Sequence, residues 1–392
     1  MLDLGPFDYR PSFWQGLDPR RESLPLDRGV FEEKIWQFSA PTRFGSKFRD
    51  TMVSSSNVLL YTHANVVEVE CNEAATRVAS LRVRHFNGRE QRVRAAHVVL
   101  ACSTMQNVRL LLASTGRSPS GVGNAHDTVG RYFMEHLEMP TGRAAMLRPQ
   151  SMLFYGYDFG VTPARAELRL TDAEQQRRGV LNATLACEPA TDDGQDALST
   201  FEIEPPESVE SFRQQTRDSL TAEMRSPART FDAEFVTRRP LFALFTRQEQ
   251  APNAQSRVTL SRERDALGVP RARFDWQFTA LDKRTMRETT TALAEQFGLA
   301  DVGRVQARPW LLEGDDVWPP MVSGGWHDMG GTRMHASPRL GVVDADCRAH
   351  GVSNLHLAGA GVFSTAGSAN PTLTIVALAL RLGAHLRTLL AR

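Results

Sequence analysis

His327 lies in the run Gly324-Gly325-Trp326-His327-Asp328-Met329-Gly330-Gly331-Thr332, where glycines on both sides let the backbone fold sharply and come close to a ligand. An imidazole with an ordinary pKa of about 6.5 takes a proton from a hydroxyl at neutral pH. Asn370 precedes Pro371-Thr372-Leu373-Thr374 at the start of an apolar segment. Its amide can hold an alcohol oxygen as donor or acceptor. Leu355-His356-Leu357-Ala358 runs into Gly359-Ala360-Gly361, a strand ending in a small-residue turn whose N–H groups can face phosphate or carbonyl oxygen. A base, an amide and a helix N-terminus that favours negative charge suit the oxidation of an alcohol beside a large flat cofactor. Each piece also has a purely structural reading. His327 can be an ordinary loop residue, Gly359-Ala360-Gly361 a tight turn before a core helix, and Asn370 an N-cap with Pro at the first helical position.

The rest of the chain must position these groups. Val98-Val99-Leu100-Ala101 is a short apolar run that suits a strand buried on both faces of a parallel sheet. It leads through Cys102-Ser103-Thr104 into a helix over 105–114, which makes half of a βαβ unit. Upstream, the pattern predicts a helix over 43–52, strands over 58–61, 66–69 and 78–86, and a hairpin turn at Asn87-Gly88 with a return strand from Gln91. A short helix is predicted over 129–135. From 143 to 280 the chain alternates weakly and reads as mostly antiparallel sheet, with strands at 256–260 and 271–276 around a turn at 265–270. A helix follows over 282–297, with Asp282 able to cap it. The fold class is α/β (α+β): an incomplete doubly wound cofactor domain in two parts, 1–142 and 315–392, and a substrate-binding lobe, 143–314, between them.

Composition narrows the function classes. The 392 residues suffice for two domains, and the net charge of +1 gives no pull toward nucleic acid or an anionic membrane. Cys71, Cys102, Cys187 and Cys347 form no C-x-x-C pair and read as thiols of a reducing compartment, so a cytoplasmic location is expected. No apolar run reaches the ~18 residues of a membrane span. The start of the chain has no signal-peptide pattern. The histidines show no metal-ligand spacing, and no metal is expected.

The motifs together resemble the C-terminal two-thirds of the glucose–methanol–choline (GMC) oxidoreductases, an FAD-dependent family of alcohol oxidases and dehydrogenases. The resemblance rests on His327-Asp328-Met329-Gly330-Gly331-Thr332-Arg333-Met334, Gly341-Val342-Val343-Asp344, Gly351-Val352-Ser353-Asn354-Leu355 and Asn370-Pro371-Thr372-Leu373-Thr374. Upstream it rests on Leu100-Ala101-Cys102-Ser103, Gly130-Arg131-Tyr132-Phe133-Met134-Glu135-His136 and Ser256-Arg257-Val258-Thr259-Leu260. It implies that the doubly wound domain binds FAD and that the substrate is a small alcohol or sugar. His327 would be the base and Asn370 the group that orients the hydroxyl while hydride goes to the flavin. Cofactor contacts would fall to Val66, Cys102, Gly359, Ala360, Pro371 and Thr372. Asn rather than His at 370 is similar to the choline, cholesterol and pyranose oxidase members. His136 has two readings under the resemblance: a covalent FAD attachment point, as in some members, or a loop His near the cofactor. Whether oxygen or another acceptor reoxidises the flavin stays open.

The pattern departs from the family at the nucleotide fingerprint. Gly121-x-Gly123 reaches His126 where a Gly is needed, and Gly359-x-Gly361 reaches Ser364, so no G-x-G-x-x-G turn is present. Met1 is accordingly read as an internal start of a truncated chain that binds FAD weakly or not at all by itself. The alternative is a non-catalytic remnant or one subunit of a split enzyme, with a partner chain supplying the missing nucleotide-binding unit. An NAD-dependent dehydrogenase is disfavoured by the same missing fingerprint.

Overall fold

Along strand Ala164–Leu170, Ala164, Ala166, Leu168 and Leu170 point into an apolar core, while Arg165, Glu167 and Arg169 alternate to the other face. The strand belongs to a six-stranded antiparallel sheet in the order Phe31–Gln37, Ala164–Leu170, Ala183–Pro189, Leu241–Gln248, Leu137–Met146, Gly303–Ala307. This computed structural model describes residues 5–38, 42–147, 150–156, 164–189, 241–319 and 322–391. Helix Ala280–Leu299 sets Ala292, Leu293 and Phe297 against the apolar face, with Phe31, Ile35, Leu185, Phe242 and Leu244. On the opposite face buried charges are paired, as burial requires. Arg165 Nη1 meets Glu188 Oε1 at 2.7 Å, Thr184 Oγ1 donates to Glu167 Oε2 at 2.6 Å, and Arg165 also pairs with Glu167.

The chain divides into two units. The sheet unit comprises Met1–Thr42, Leu137–Gln248 and Lys283–Ser323. Residues 1–42, expected with the cofactor domain, therefore group with the sheet, because Phe31–Gln37 is its edge strand, paired antiparallel with Ala164–Leu170. The second unit comprises Arg43–His136, Glu249–Asp282 and Gly324–Arg392.

The second unit contains the parallel strand expected at 98–101, but Val99 is exposed, so it is not buried on both faces as expected. Val98–Leu100 and Leu355–Leu357 run side by side, Leu100 opposite Leu357, over a core that includes Val108, Leu111, Val258 and Val342. Helix Thr104–Ala113 follows the first strand. A three-stranded antiparallel sheet, Asn65–Cys71, Val78–Arg84 and Glu90–Val93, carries the turn at Asn87-Gly88, with Gly88 at φ +83°. Strands Arg257–Arg264 and Pro270–Asp275 form the second expected hairpin. The C-terminal helix Thr372–Leu390 docks through Leu378, Leu382 and Leu386, four residues apart, and leaves Leu373, Leu380 and Leu390 exposed. By length and composition it could also cross a bilayer.

Several local expectations fail for identifiable reasons. Val58-Leu59-Leu60-Tyr61 forms no strand and is exposed, Leu59 at 79%. Residues 129–135 form no helix: Gly130 and Tyr132 have φ +88° and +57°, and their neighbours' N–H groups go elsewhere. Phe133 donates to the Ser256 carbonyl at 3.0 Å and Met134 to that of Met329 at 2.9 Å. The helix over 43–52 is two short pieces, Phe44–Lys47 and Arg49–Ser54, interrupted at Phe48. Asp282 is not the N-cap but its partner. Thr279 N–H donates to Asp282 Oδ2 at 2.6 Å and Asp282 N–H to Thr279 Oγ1 at 3.4 Å, a reciprocal capping box. Asp282 Oδ1 also accepts from the Ala251 N–H at 2.7 Å.

Replacing Asp282 by Ala strips both buried N–H groups of their acceptor and should cost about 1–3 kcal/mol in stability. Denaturant unfolding measures this, with Asp282→Asn retaining part of the loss because its amide oxygen still accepts.

Candidate active site

Glu135 places His327 through the backbone. Both its carboxylate oxygens accept from the His327 N–H, each at 2.7 Å, and Oε1 accepts from the His136 N–H at 2.8 Å. The Glu135 N–H donates to Gln250 Oε1 at 3.0 Å, an oxygen that also accepts from Trp276 Nε1 at 2.8 Å. The other end of that amide, Gln250 Nε2, donates to the Gln277 carbonyl at 2.9 Å. A buried carboxylate is thus fully engaged by neighbouring donors, which is the condition for burying it.

The loop after His327 is stitched on both sides. Met329 and Met134 exchange N–H···O bonds of 2.9 Å in each direction. Gly330 N–H donates to the Ala360 carbonyl at 3.2 Å, Thr332 to Gly361 at 3.1 Å and Met334 to Val362 at 2.8 Å. Gly330 sits at φ +71°, and a Cβ there would collide with the Tyr132 carbonyl. Only glycine satisfies both the left-handed backbone and that approach. Thr104 Oγ1, at the start of its helix, donates to the Asp328 carbonyl at 2.7 Å. Burial pushes the Asp328 carboxyl above its ordinary value.

The predicted pair meets. His327 Nε2 and Asn370 Nδ2 are 3.0 Å apart. The other ring nitrogen, Nδ1, lies 3.0 Å from His136 Nδ1, with the two rings 4.9 Å apart at 67°. His327 is half-buried, His136 is buried and Asn370 is exposed. Asn370 is not the helix N-cap: Pro371 holds that position, and no side chain caps the helix. Its amide is committed to His327 instead.

The proposed cofactor residues are distributed as follows. The turns carrying Cys102 and Gly359 leave from the same, C-terminal end of the parallel pair, the end at which open α/β sheets bind ligands. Asn107 ties the two turns together. Its Nδ2 donates to the carbonyls of Leu100 and Ala358, both at 3.2 Å, and its Oδ1 accepts from the Cys102 N–H at 3.0 Å. Gly359 has φ +113° and open space where a Cβ would stand. Ala360 and Pro371 are buried, and Thr372 is the first residue of the C-terminal helix. Val66 lies on strand Asn65–Cys71 opposite Val83, half-buried.

Sequence reasoning missed Glu135, Gln250 and Asn107, and it read His136 as a covalent FAD attachment point or a loop His near the cofactor, not as a partner of His327. Glu135, His136 and His327 bring three ligand-type atoms within 4.8 Å of one another, a grouping that no local spacing announces. The signal that existed was the Met134-Glu135-His136 run, whose partner lies almost two hundred residues downstream.

Residues 252–379 match the sequence profile of the family described as GMC oxidoreductase. The chain is 27% identical to 2-methyl-1,2-propanediol dehydrogenase of Mycolicibacterium austroafricanum, over 83% of this chain and 54% of that protein. It is 25% identical to the fructose dehydrogenase large subunit of Gluconobacter japonicus, over 79% of this chain and 50% of that protein. It thus spans about half the length of the curated relatives it matches. The crystal structure of pyridoxine 4-oxidase from Mesorbium loti shares the fold, with a TM-score of 0.55 at 16% identity over 91% of this chain and 64% of that one.

Two substitutions test the geometry. Gly330→Ala should destabilise by more than about 2 kcal/mol, read as a fall in melting temperature, because strain and collision coincide. Asn370→Asp places a carboxylate against Nε2, and an adjacent negative charge favours the imidazolium. The His327 pKa should then rise above that of the unaltered protein, read from the pH titration of its ring protons by NMR.

Proposed function

We propose that this chain, which carries the C-terminal region of a GMC oxidoreductase, supplies the proton-accepting wall of an enzyme that oxidises the CH–OH group of a small alcohol or sugar to a carbonyl. The observation that carries this reading is the 3.0 Å approach of Asn370 Nδ2 to His327 Nε2. A hydroxyl that displaces this hydrogen bond can be held from both sides, by the amide N–H and by the imidazole nitrogen it leaves free. The hydroxyl donates its proton to Nε2, its oxygen accepts from the Asn370 N–H, and the carbinol carbon gives up hydride as the C=O bond forms. The diol and the sugar named in relatives, 2-methyl-1,2-propanediol and fructose, are of the CH–OH class.

FAD, when bound, supplies the hydride acceptor. Residues present suit parts of it. Gly359, with open space where a Cβ would stand, and Ala360 would lie along its ribityl and pyrophosphate portion, with Cys102 on the neighbouring turn, and the nineteen-residue helix from Thr372 would offer free N–H groups and a positive dipole end after Pro371 to the pyrimidine edge of the ring. Val66 would meet the adenine end through its backbone. The pyrophosphate end has no G-x-G-x-x-G cradle in these 392 residues. A nucleotide-binding unit must complete the site, from a longer protein or from a partner chain. The parallel pair is consistent with this: among the described residues it has two strands, and Val99, in the middle of the first, is 39% exposed, whereas parallel strands are ordinarily covered on both faces.

The second reading, a subunit without chemistry of its own, is favoured by the same missing cradle. Flavin content of the chain alone tests what both readings share, and turnover of the completed enzyme separates them. The chain by itself should retain far less than one flavin per chain, and stoichiometric flavin in the purified chain would overturn that expectation. In the completed enzyme, His327→Ala should lower kcat by about 100-fold or more while flavin content is unchanged. Unchanged turnover would remove His327 from the reaction.

A further inference from the structure

With the Asn370 amide placed Nδ2 toward the ring, the proton positions around His327 follow from donor and acceptor chemistry. Asn370 Nδ2 is a donor and cannot accept. It lies 3.0 Å from His327 Nε2, so Nε2 carries no proton. A neutral imidazole has one N–H, and in His327 that N–H must be at Nδ1. Nδ1 lies 3.0 Å from His136 Nδ1, so His136 accepts there. A protonated His136 Nδ1 would leave His327 with no proton on either nitrogen, an imidazolate, which neutral water does not support. His136 is therefore neutral, with its own proton on Nε2.

We propose that His136 is a positioning residue that holds His327 in the Nδ1–H tautomer, so that Nε2, the nitrogen facing Asn370, is the basic one. His136 is suited to this. It is wholly buried, and the Glu135 carboxylate fixes the backbone of both histidines through bonds of 2.7–2.8 Å. When Nε2 takes a substrate proton, the resulting imidazolium keeps Nδ1–H on His136, and its Nε2–H faces the substrate oxygen that the Asn370 N–H still holds. A neutral imidazole thus takes the orienting place that a carboxylate holds in other base-orienter pairs. The tautomer assignment stands on the geometry. Its consequence for turnover rests on the proposed alcohol oxidation.

The test separates the two. In protein labelled with 15N-histidine, long-range 1H–15N correlation reads the tautomer of each ring directly. His327 should show a protonated Nδ1 and a bare Nε2 at neutral pH. His136→Ala should shift His327 toward Nε2–H. His136→Asn, whose Oδ1 can stand near the lost Nδ1 as acceptor, should restore Nδ1–H. If His327 is Nε2–H in the unaltered protein, or stays fully Nδ1–H in His136→Ala, the proposal falls. Thermal melts of both variants identify simple misfolding, which His136→Asn is chosen to avoid. In the completed enzyme, kcat should fall by about tenfold or more in His136→Ala across the plateau of the pH profile, with KM little changed and partial recovery in His136→Asn. Equal losses in Ala and Asn variants of equal stability would overturn the positioning role. A correct tautomer in a protein that oxidises no alcohol would leave the assignment standing and sink the reaction instead.

Discussion

A hydrogen bond between two imidazole nitrogens admits one proton, and that restriction organises the site. Because His136 and His327 meet Nδ1 to Nδ1 at 3.0 Å, the state of one ring dictates that of the other. The amide of Asn370 then settles which nitrogen is bare. The arrangement works only if the backbones of both histidines are fixed, and a single carboxylate, Glu135, does that for both. Glu135 is anchored in turn by Gln250, whose oxygen serves Glu135 and Trp276 while its nitrogen serves Gln277. Backbone geometry, tautomer and basicity are links in one chain of hydrogen bonds.

The second requirement is close approach. The 328–334 segment runs between the 132–134 segment and the turn at 360–362, bonded to each by backbone N–H groups. A side chain at Gly330 would part it from Tyr132. Such a segment cannot be a mobile loop that happens to carry a base: its position is set from two sides, and the ring of His327 inherits that position. Asn107 performs the equivalent task for the turns after the parallel strands, replacing a missing stretch of ladder with side-chain amide bonds.

Legibility in the sequence followed the range of the interactions. The parallel strand at 98–100, its helix and the hairpins at 87–88 and 265–270 were readable because local pattern and tertiary role agree there. His327 and Asn370 were readable as residue types suited to alcohol chemistry. Their supports were not, because Glu135 and Gln250 act through contacts more than one hundred residues apart. The helix expected at 129–135 shows the conflict: its residues tolerate helix, but Gly130 adopts a left-handed backbone so that the chain can bond sideways to Ser256 and Met329. The grouping of residues 1–42 with the antiparallel sheet was hidden for the same reason, since a strand at 31–37 carries no mark of a partner at 164–170. Asp282 was placed in the right turn but the wrong role, a one-residue-class error between cap and reciprocal partner.

The parallel pair has a colloidal consequence. Val99 on the first parallel strand, the run Val58-Leu59-Leu60-Tyr61, and Leu373, Leu380 and Leu390 on the last helix each expose apolar side chains. Water solvates such a surface poorly, and strand edges that lack neighbours recruit them from other molecules. Exposed apolar side chains of this kind favour self-association of the polypeptide. Its solubility, and its demand on chaperones during synthesis, become functions of how quickly that surface is covered.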